Sequence, residues 1–440
     1  PDPVPVRRVA LKSPATLGWR DEELYPARLH HGPRLQNLLE VSQWGENGLT
    51  ADWVTLPRGT LLRRISRPRF SLDPVLLDAF GSALAAWQAR EPHNGTFHLP
   101  VALESVQFYA PPLAEWTRGS LLLYPAPNAE PSGFLQADAD MTDESGRLLM
   151  RASGWKNRVF TIQRALHHLL LHPVDGFFSS QLPEDALPAL PREVICRAAP
   201  SSSDSLFSDD FELWLRATAC LTLSLTERLK WREMGGATTR RTEWLLGRIA
   251  AKDAVRRCLQ TRYGRKWAAA DIRIDTDEAG KPRPQGEWRR FCGARMDISI
   301  THTADRIVAA VAPNACLGID IERSDRAISD EFAAAAFCTT EQEIAAETGE
   351  GAQALIRFWC AKEALAKALG TGLRFGAGDL KIRSVDRQTG RIEIEPTRLW
   401  LQAFPKLKGA RIPVHTCIFD NLVLAVCVMD PDQAGEMQPP

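Results

Sequence analysis

Gly318-Ile319-Asp320-Ile321-Glu322 and, downstream of it, Phe358-Trp359-Cys360-Ala361-Lys362-Glu363-Ala364-Leu365-Ala366-Lys367 are the two stretches whose reading decides the fold of this chain. The first alternates, so a strand sends Asp320 and Glu322 to one face while Ile319 and Ile321 turn to a core. Two carboxylates side by side call for a cation. Mg²⁺, usually shared between one or two carboxylates, water and a substrate phosphate, is the economical choice. The second stretch is helical, and four-residue spacing places Trp359, Glu363 and Lys367 on one face, an acid and a base beside an aromatic ring. Taken singly, the same residues also read as a solvated helix pair worth about 0.2–0.5 kcal/mol and as solubilising charges on a strand edge.

Upstream lie three further polar elements. Ser299-Ile300-Thr301-His302-Thr303 ends one strand before another begins, and Gly280-Lys281-Pro282 marks a turn. In Trp244 to Lys252 the spacing puts Arg248 and Lys252 on one helix face, able to meet a dianion or simply to be solvated. Helices are predicted over about 242–262 and 352–369, the latter ended by Gly370, with strands near 296–300, 307–311 and 317–321 between them. Glu193 to Arg197 reads as a possible first strand of this region.

These motifs, in this order, resemble the surfactin-synthetase type of 4′-phosphopantetheinyl transferase over Val194 to Asp430, with Gly-Ile-Asp-Ile-Glu and Trp-x-x-Lys-Glu-x-x-x-Lys as the specific pair. The resemblance implies an α+β fold of two similar halves that moves the phosphopantetheine arm of coenzyme A to a serine of an acyl carrier protein. It implies Mg²⁺ on Asp320, Glu322 and Glu341, Glu363 as the general base, and Lys367 on the phosphates of the leaving group. For coenzyme A it implies Lys281, Thr301, His302 and Lys362, to which the helix spacing adds Arg248 and Lys252. The chemistry agrees: a serine hydroxyl needs a base, and cations stabilise charge growing on phosphoryl oxygens.

The N-terminal part is different in kind. Short strand-like runs, such as Leu121 to Tyr124 and Phe134 to Asp140, stand between turn signals. Pro74 to Gln88 is the exception, a helix with Leu77, Phe80, Leu84 and Trp87 on one apolar face, against which a curved antiparallel sheet is expected. His31-Gly32-Pro33-Arg34-Leu35-Gln36, followed by Asp73-Pro74-Val75-Leu76-Leu77-Asp78-Ala79, resembles the second half of a polyketide synthase dehydratase, a double hotdog, over Arg28 to Phe160. That resemblance makes Asp78 the catalytic acid of the second hotdog. Ser82 departs from the Gln or His usual four residues after it, and no HxxxGxxxxP segment supplies the partner histidine. Asp78 also reads as a charge favoured by the helix dipole. The first hotdog is expected upstream in a longer polypeptide, which fits the absence of an initiator Met and a resemblance to the C-terminal end of enediyne-type iterative polyketide synthases.

At 440 residues two domains are expected: a hotdog over 1–181, a linker over 182–193, where Pro and Ser accumulate up to Pro200-Ser201-Ser202-Ser203-Asp204, and a transferase over 194–440. Lys and Arg number 54, as do Asp and Glu, so no global field draws nucleic acid or anionic lipid. No apolar stretch is long enough to span a bilayer. Nine scattered cysteines without a CxxC pair favour reduced thiols in a cytoplasm. The expected partners are coenzyme A and an acyl carrier protein. The competing readings are a dehydratase with a degenerate transferase, and a pair of docking modules without chemistry.

Overall fold

The computed structural model describes all residues except 1–3, 63–64, 66–67, 69, 71, 90–94, 112, 127–132, 183–189, 191–192, 202–211, 236, 294, 304–305, 436 and 438–440. The chain divides into two compact units, Pro1–His172 and Pro173–Pro440. The division falls ahead of the expected boundary after residue 181, because Ser180–Gln181 already pairs with a strand of unit 2. Most of the expected linker 182–193, and Ser202 to Asp204 of the polar run, lie outside the described residues.

Unit 1 is the expected helix wrapped by antiparallel strands. In chain order it runs β1 (Ala15–Arg20), α1 (Asp21–Ala27), β2 (Leu38–Gly45), β3 (Gly48–Val54), α2 (Pro74–Gln88), β4 (Thr96–Ala102), β5 (Ser105–Phe108), β6 (Arg118–Pro125), β7 (Phe134–Asp143), β8 (Leu148–Thr161) and α3 (Arg164–Leu171). The strands pair antiparallel in the order β1-β2-β3-β6-β7-β8-β4, with β5 also on β8. Helix α2 starts where Pro74 fixes the first turn and the Asp73 carboxylate accepts the N–H groups of Val75 and Leu76 at 3.0 and 3.3 Å. The helix is more enclosed than its apolar periodicity suggests. Val75, Leu76, Ala79, Phe80, Ala83 and Leu84 are buried, whereas Leu77 and Trp87 of the expected face are only partly so. Gly81 permits this, since a Cβ there would sit 2.9 Å from the Trp155 ring.

Unit 2 contains β9 (Ser180–Gln181), β10 (Ile195–Ala198), α4 (Leu213–Thr222), α5 (Leu225–Glu233), α6 (Thr238–Tyr263), β11 (Arg273–Thr276), β12 (Pro282–Gln285), β13 (Met296–Thr303), β14 (Arg306–Pro313), β15 (Cys316–Arg323), α7 (Asp330–Ala336), α8 (Thr339–Glu347), α9 (Ala352–Ala368), β16 (Leu380–Val385), β17 (Arg391–Pro396), α10 (Arg398–Ala403), β18 (Ile412–Phe419), β19 (Leu422–Met429) and α11 (Pro431–Ala434). Its sheets are β13-β14-β10-β9, β15-β19-β18-β17-β16 and the hairpin β11-β12. The two larger sheets share an apolar core in which Cys196, Val308 and Ala310 meet Ile319, Ile321, Leu424 and Val426, so both isoleucines of Gly-Ile-Asp-Ile-Glu face inward as expected.

The two halves of unit 2 repeat one set of bonds. In the first half Glu227, third residue of α5, accepts the N–H groups of Ser224 and Ile274 at 2.9 Å each and the Lys252 ammonium at 2.6 Å; Lys252 also donates to Thr222 O at 2.7 Å. In the second half Glu341, third residue of α8, accepts the N–H groups of Cys338 and Ile382 at 2.8 Å each and the Lys362 ammonium at 2.8 Å; Lys362 donates to Ala336 O at 2.7 Å. A capping carboxylate, a hairpin N–H and a lysine from the long helix thus form the same knot twice, and each lysine is fully buried.

Candidate active site

Strands β13 and β15 belong to different sheets, and the side chains of β13 stitch them together. Asp297, Ser299 and Thr301, on one face by the period of two, accept the N–H groups of Leu317, Ile319 and Ile321 at 2.8, 3.0 and 3.3 Å. Lys281 locks the lower end of this seam. Its ammonium donates to Asp297 at 2.5 Å, to Leu317 O at 3.2 Å and to Ala368 O at 3.0 Å. The seam fixes the height at which Asp320 and Glu322 stand.

Helix α9 is brought against β15 by Gly318. A Cβ at that position would lie 1.9 Å from Ala364 O and 2.4 Å from Ala368 N, so only glycine admits this approach. The approach puts Lys367 on Asp320, Nζ to Oδ1 at 2.7 Å, and within 3.4 Å of Thr301 Oγ1, which itself donates to the same Asp320 oxygen at 3.0 Å. The other oxygen, Asp320 Oδ2, is buried and has no hydrogen-bond partner among the described residues. Glu322 pairs with Arg326, one turn on. Trp359 completes the wall, its ring 4.7 Å from that of Phe332, over which Arg326 lies.

The acids crowd one another. Burial, and then the negative charge of Asp320, push the Glu363 carboxyl above the ordinary glutamate value, while Lys367 pulls the other way. Glu322 is raised as well, by burial first and by Asp320, against Arg326 and Lys367. Asp320, Glu322, Glu363 and Lys367 are thus brought together as the sequence suggested. No group of three or more His, Cys, Asp or Glu side chains is disposed to hold a metal ion among the described residues. The free Asp320 oxygen and the neighbouring Glu322 nonetheless fit an ion that takes most of its ligands from water and substrate.

Other residues expected here are elsewhere. Glu341 does not reach the cluster: it is fully buried, and both of its oxygens are taken by Cys338 N, Ile382 N and Lys362. Lys362, its partner, lies under the Phe337 ring with no exposed surface, so it is no phosphate ligand; burial lowers its ammonium below the usual lysine value. Lys252 is corrected in the same way, lowered to about 8 by burial in the first knot. Lys281 serves the seam. Thr301 holds Asp320 and β15. His302 is exposed at the end of β13. Arg248 lies half-buried, its guanidinium 3.3 Å from the centre of the Trp244 ring, with Nε unpartnered among the described residues and its pKa lowered to about 10 by burial. It is the expected basic residue that keeps a free buried donor. Beside the end of α9 a cleft of about 720 Å³ is lined by Lys281, Arg283, Arg295, Cys316, Gly370 and Thr371 among others.

In unit 1 the structure adds a contact that the sequence reading missed. His31 Nε2 lies 3.1 Å from Asp78 Oδ2, to which Ser82 Oγ donates at 3.3 Å. The helix-start role open to Asp78 is filled by Asp73. His30 stacks on His31 with ring centres 4.5 Å apart and, with the buried His98, is held neutral by burial; His98 is lowered to about 4. His31 stands in the His-Gly-Pro run of the sequence, but its separation of 47 positions from Asp78 carries no local period that would pair the two.

Residues 316–427 match a family model described as the 4′-phosphopantetheinyl transferase superfamily, and residues 18–167 one described as the polyketide synthase dehydratase N-terminal domain. The second description differs from the reading of this unit as a second hotdog. Curated relatives include holo-[acyl-carrier-protein] synthases of Geobacillus kaustophilus, 42% identical over 72 residues, and of Bacillus subtilis, 38% identical over 72 residues. These alignments cover 16% of this chain and 54% and 58% of the relatives, so the chain spans little more than half the length of the curated relatives it matches. Among solved structures, a trans-AT polyketide synthase dehydratase domain from Brevibacillus brevis is 21% identical, with a TM-score of 0.26, over 34% of this chain and 50% of that one. The dehydratase domain of PpsC from Mycobacterium tuberculosis is 20% identical, with a TM-score of 0.26, over 35% of this chain and 56% of that one.

Proposed function

We propose that unit 2, whose residues 316–427 match the family model described as the 4′-phosphopantetheinyl transferase superfamily, transfers the phosphopantetheine arm of coenzyme A to a serine of an acyl carrier protein. The observation that carries the proposal is the closure of α9 on β15 at Gly318, which sets an acid of raised pKa and a cation beside two strand carboxylates. Glu363, less acidic than a free glutamate, takes the serine proton as the serine oxygen forms its bond to the phosphorus of the arm. The bond from that phosphorus to the bridging oxygen breaks, and 3′,5′-adenosine bisphosphate leaves. Lys367 has one N–H beyond those directed at Asp320 and Thr301, and it offers that donor to a phosphate oxygen. Asp320 and Glu322 would hold Mg²⁺, which when bound supplies charge neutralisation at the pyrophosphate. Arg248 and the exposed His302 are the basic groups left for the 3′-phosphate and adenosine end.

The test is intact-mass analysis of an apo carrier protein incubated with this chain and coenzyme A, with and without Mg²⁺. A Mg²⁺-dependent gain of one phosphopantetheine supports the reading, and no gain on several carriers overturns it.

The His31–Asp78 contact favours a second, separate reading for unit 1 as one hotdog of a dehydratase, its place as the second of a pair in a longer, enediyne-type parent synthase resting on the sequence resemblance alone. Asp78→Asn in the intact parent should then abolish water loss from a β-hydroxyacyl thioester; unchanged turnover would exclude it.

A further inference from the structure

Arg326 is the cation at the carboxylate cluster to which the mechanism above gives no task. The two strand carboxylates are each hydrogen-bonded to one basic side chain among the described residues. Asp320 accepts from Lys367 at 2.7 Å, and Glu322 Oε1 accepts from Arg326 Nη1. Lys367 keeps a donor for a phosphate oxygen, whereas the Arg326 contact ties the charge of Glu322 to the protein itself. A carboxylate engaged by a guanidinium is the poorer ligand for a divalent cation, which must replace the arginine and then stand near its charge.

The backbone prepares this contact. Beyond β15 the chain turns on a hydrogen bond from Arg326 N to Arg323 O, 3.2 Å, which returns residue 326 to the end of its own strand. The other arginine of the turn is engaged elsewhere: Arg323 donates twice to Asp325, at 2.9 and 2.8 Å, on a carboxylate that also accepts from Asn421 at 3.1 Å. Arg326 has a second seat besides Glu322. Its guanidinium lies 5.4 Å from the centre of the Phe332 ring, which packs edge-on against Trp359 at 4.7 Å, on the helix that carries Glu363 and Lys367. An aromatic face attracts a cation whether or not a carboxylate holds it. The guanidinium can therefore leave Glu322 without being stranded, and because Arg326 is exposed the exchange costs little.

We propose that Arg326 holds Glu322 while no divalent cation is bound and yields it when one binds, so that this arginine sets the cation affinity of the site. The proposal rests on the reading of Asp320 and Glu322 as the pair that would hold Mg²⁺. The experiment titrates the full chain with Mn²⁺ and follows the free ion by its electron paramagnetic resonance signal, with neither coenzyme A nor carrier protein present, so that turnover does not enter the readout. Arg326→Gln should tighten Mn²⁺ binding by roughly three- to tenfold at low salt, the scale of one exposed ion pair together with a unit charge near a divalent ion. The gain should shrink as salt screens it. Arg326→Lys, which keeps the charge, should recover most of the wild-type affinity. Unchanged or weaker Mn²⁺ binding in Arg326→Gln, or an equal gain in Arg326→Lys, would overturn the proposal. Binding that survives both Asp320→Asn and Glu322→Gln, or none in wild type and Arg326→Gln alike, would overturn the metal assignment on which it stands.

Discussion

Replacing Gly318 with alanine tests the geometric core of the functional reading without touching a charged group. The new Cβ would stand 1.9 Å from Ala364 O and 2.4 Å from Ala368 N, both backbone atoms that cannot swing aside. Ordinary contact requires more than 3 Å, so β15 and α9 must part by roughly 1 Å or more, and overpacking of this kind costs about 1–3 kcal/mol. The Lys367–Asp320 bond of 2.7 Å bridges that same gap and cannot survive the shift unaltered. A misplacement of about 1 Å lowers rates by about 10²-fold where catalysis rests on positioning. Gly247 on α6 is the control: a Cβ there meets side chains and no backbone, Ile300 Cγ2 at 3.3 Å and Ile307 Cγ2 at 3.9 Å, so Gly247→Ala asks Ile300 to give by a few tenths of an ångström and should leave the Lys367–Asp320 geometry and the rate unchanged. The assay pairs carrier-modification rates with thermal melts of both variants. Wild-type rate and stability in Gly318→Ala would refute the argument that this glycine sets the site.

Glu363→Ala should lower carrier modification by about 10²–10⁴, with wild-type turnover excluding it as the base. With Glu363 in place, the rate should rise with pH through a midpoint above the ordinary glutamate value, because its raised pKa delays deprotonation; a midpoint at the free glutamate value removes that account. The same raised pKa means the folded state holds its proton longer, so this group's contribution to stability is present at low pH and lost as pH rises through the raised value. Glu341→Ala should destabilise by about 3–5 kcal/mol by stranding the buried Lys362 charge, yet leave the Mg²⁺ concentration for half-maximal activity unchanged; a shifted Mg²⁺ requirement would return Glu341 to the metal site. In unit 1, His98 is lowered from about 6.5 to about 4 by burial and neither ring nitrogen has a hydrogen-bond partner among the described residues. Its unfolded state therefore binds the proton first, and stability present above pH 6.5 is lost as pH falls towards 4, by about 3 kcal/mol at most. A denaturant series should show that acid sensitivity, and it should be absent in His98→Phe; an identical pH profile in the variant would show that His98 does not titrate this way.

What was legible in the sequence divides along a physical line. Alternation gave β15 and the inward isoleucines, Gly370 gave the end of α9, the two-residue period set Asp320 beside Glu322 and the four-residue period Glu363 beside Lys367, while the family resemblance alone joined the two pairs in one site. The internal repeat was not legible because most of what repeats is backbone: Ser224 and Cys338 contribute N–H groups, Thr222 and Ala336 carbonyls, so residue identity is free to drift while the bonds persist. Helices α1, α7, α8 and α10 are six to nine residues long, too few turns for an apolar period to declare itself.

The misplaced lysines have a single cause. Lys362 and Glu363 are neighbours in sequence but about 100° apart around the helix, so one enters the buried knot while the other reaches the carboxylate cluster. Within α6 the four-residue spacing of Arg248 and Lys252 does place both on one side, but that side turns towards Glu227 rather than solvent, where Lys252 is consumed by the knot and Arg248 rests on Trp244. A cationic pair read from spacing defines a face; only the partner of that face decides whether the charge is spent inside the fold or left for a substrate. Asp297 and Ser299 carry the same lesson in reverse. Polar residues at a period of two inside a strand as buried as Met296–Thr303 are a signal that the strand bonds sideways to another chain segment, and it is that bonding which holds Asp320 where Lys367 can reach it.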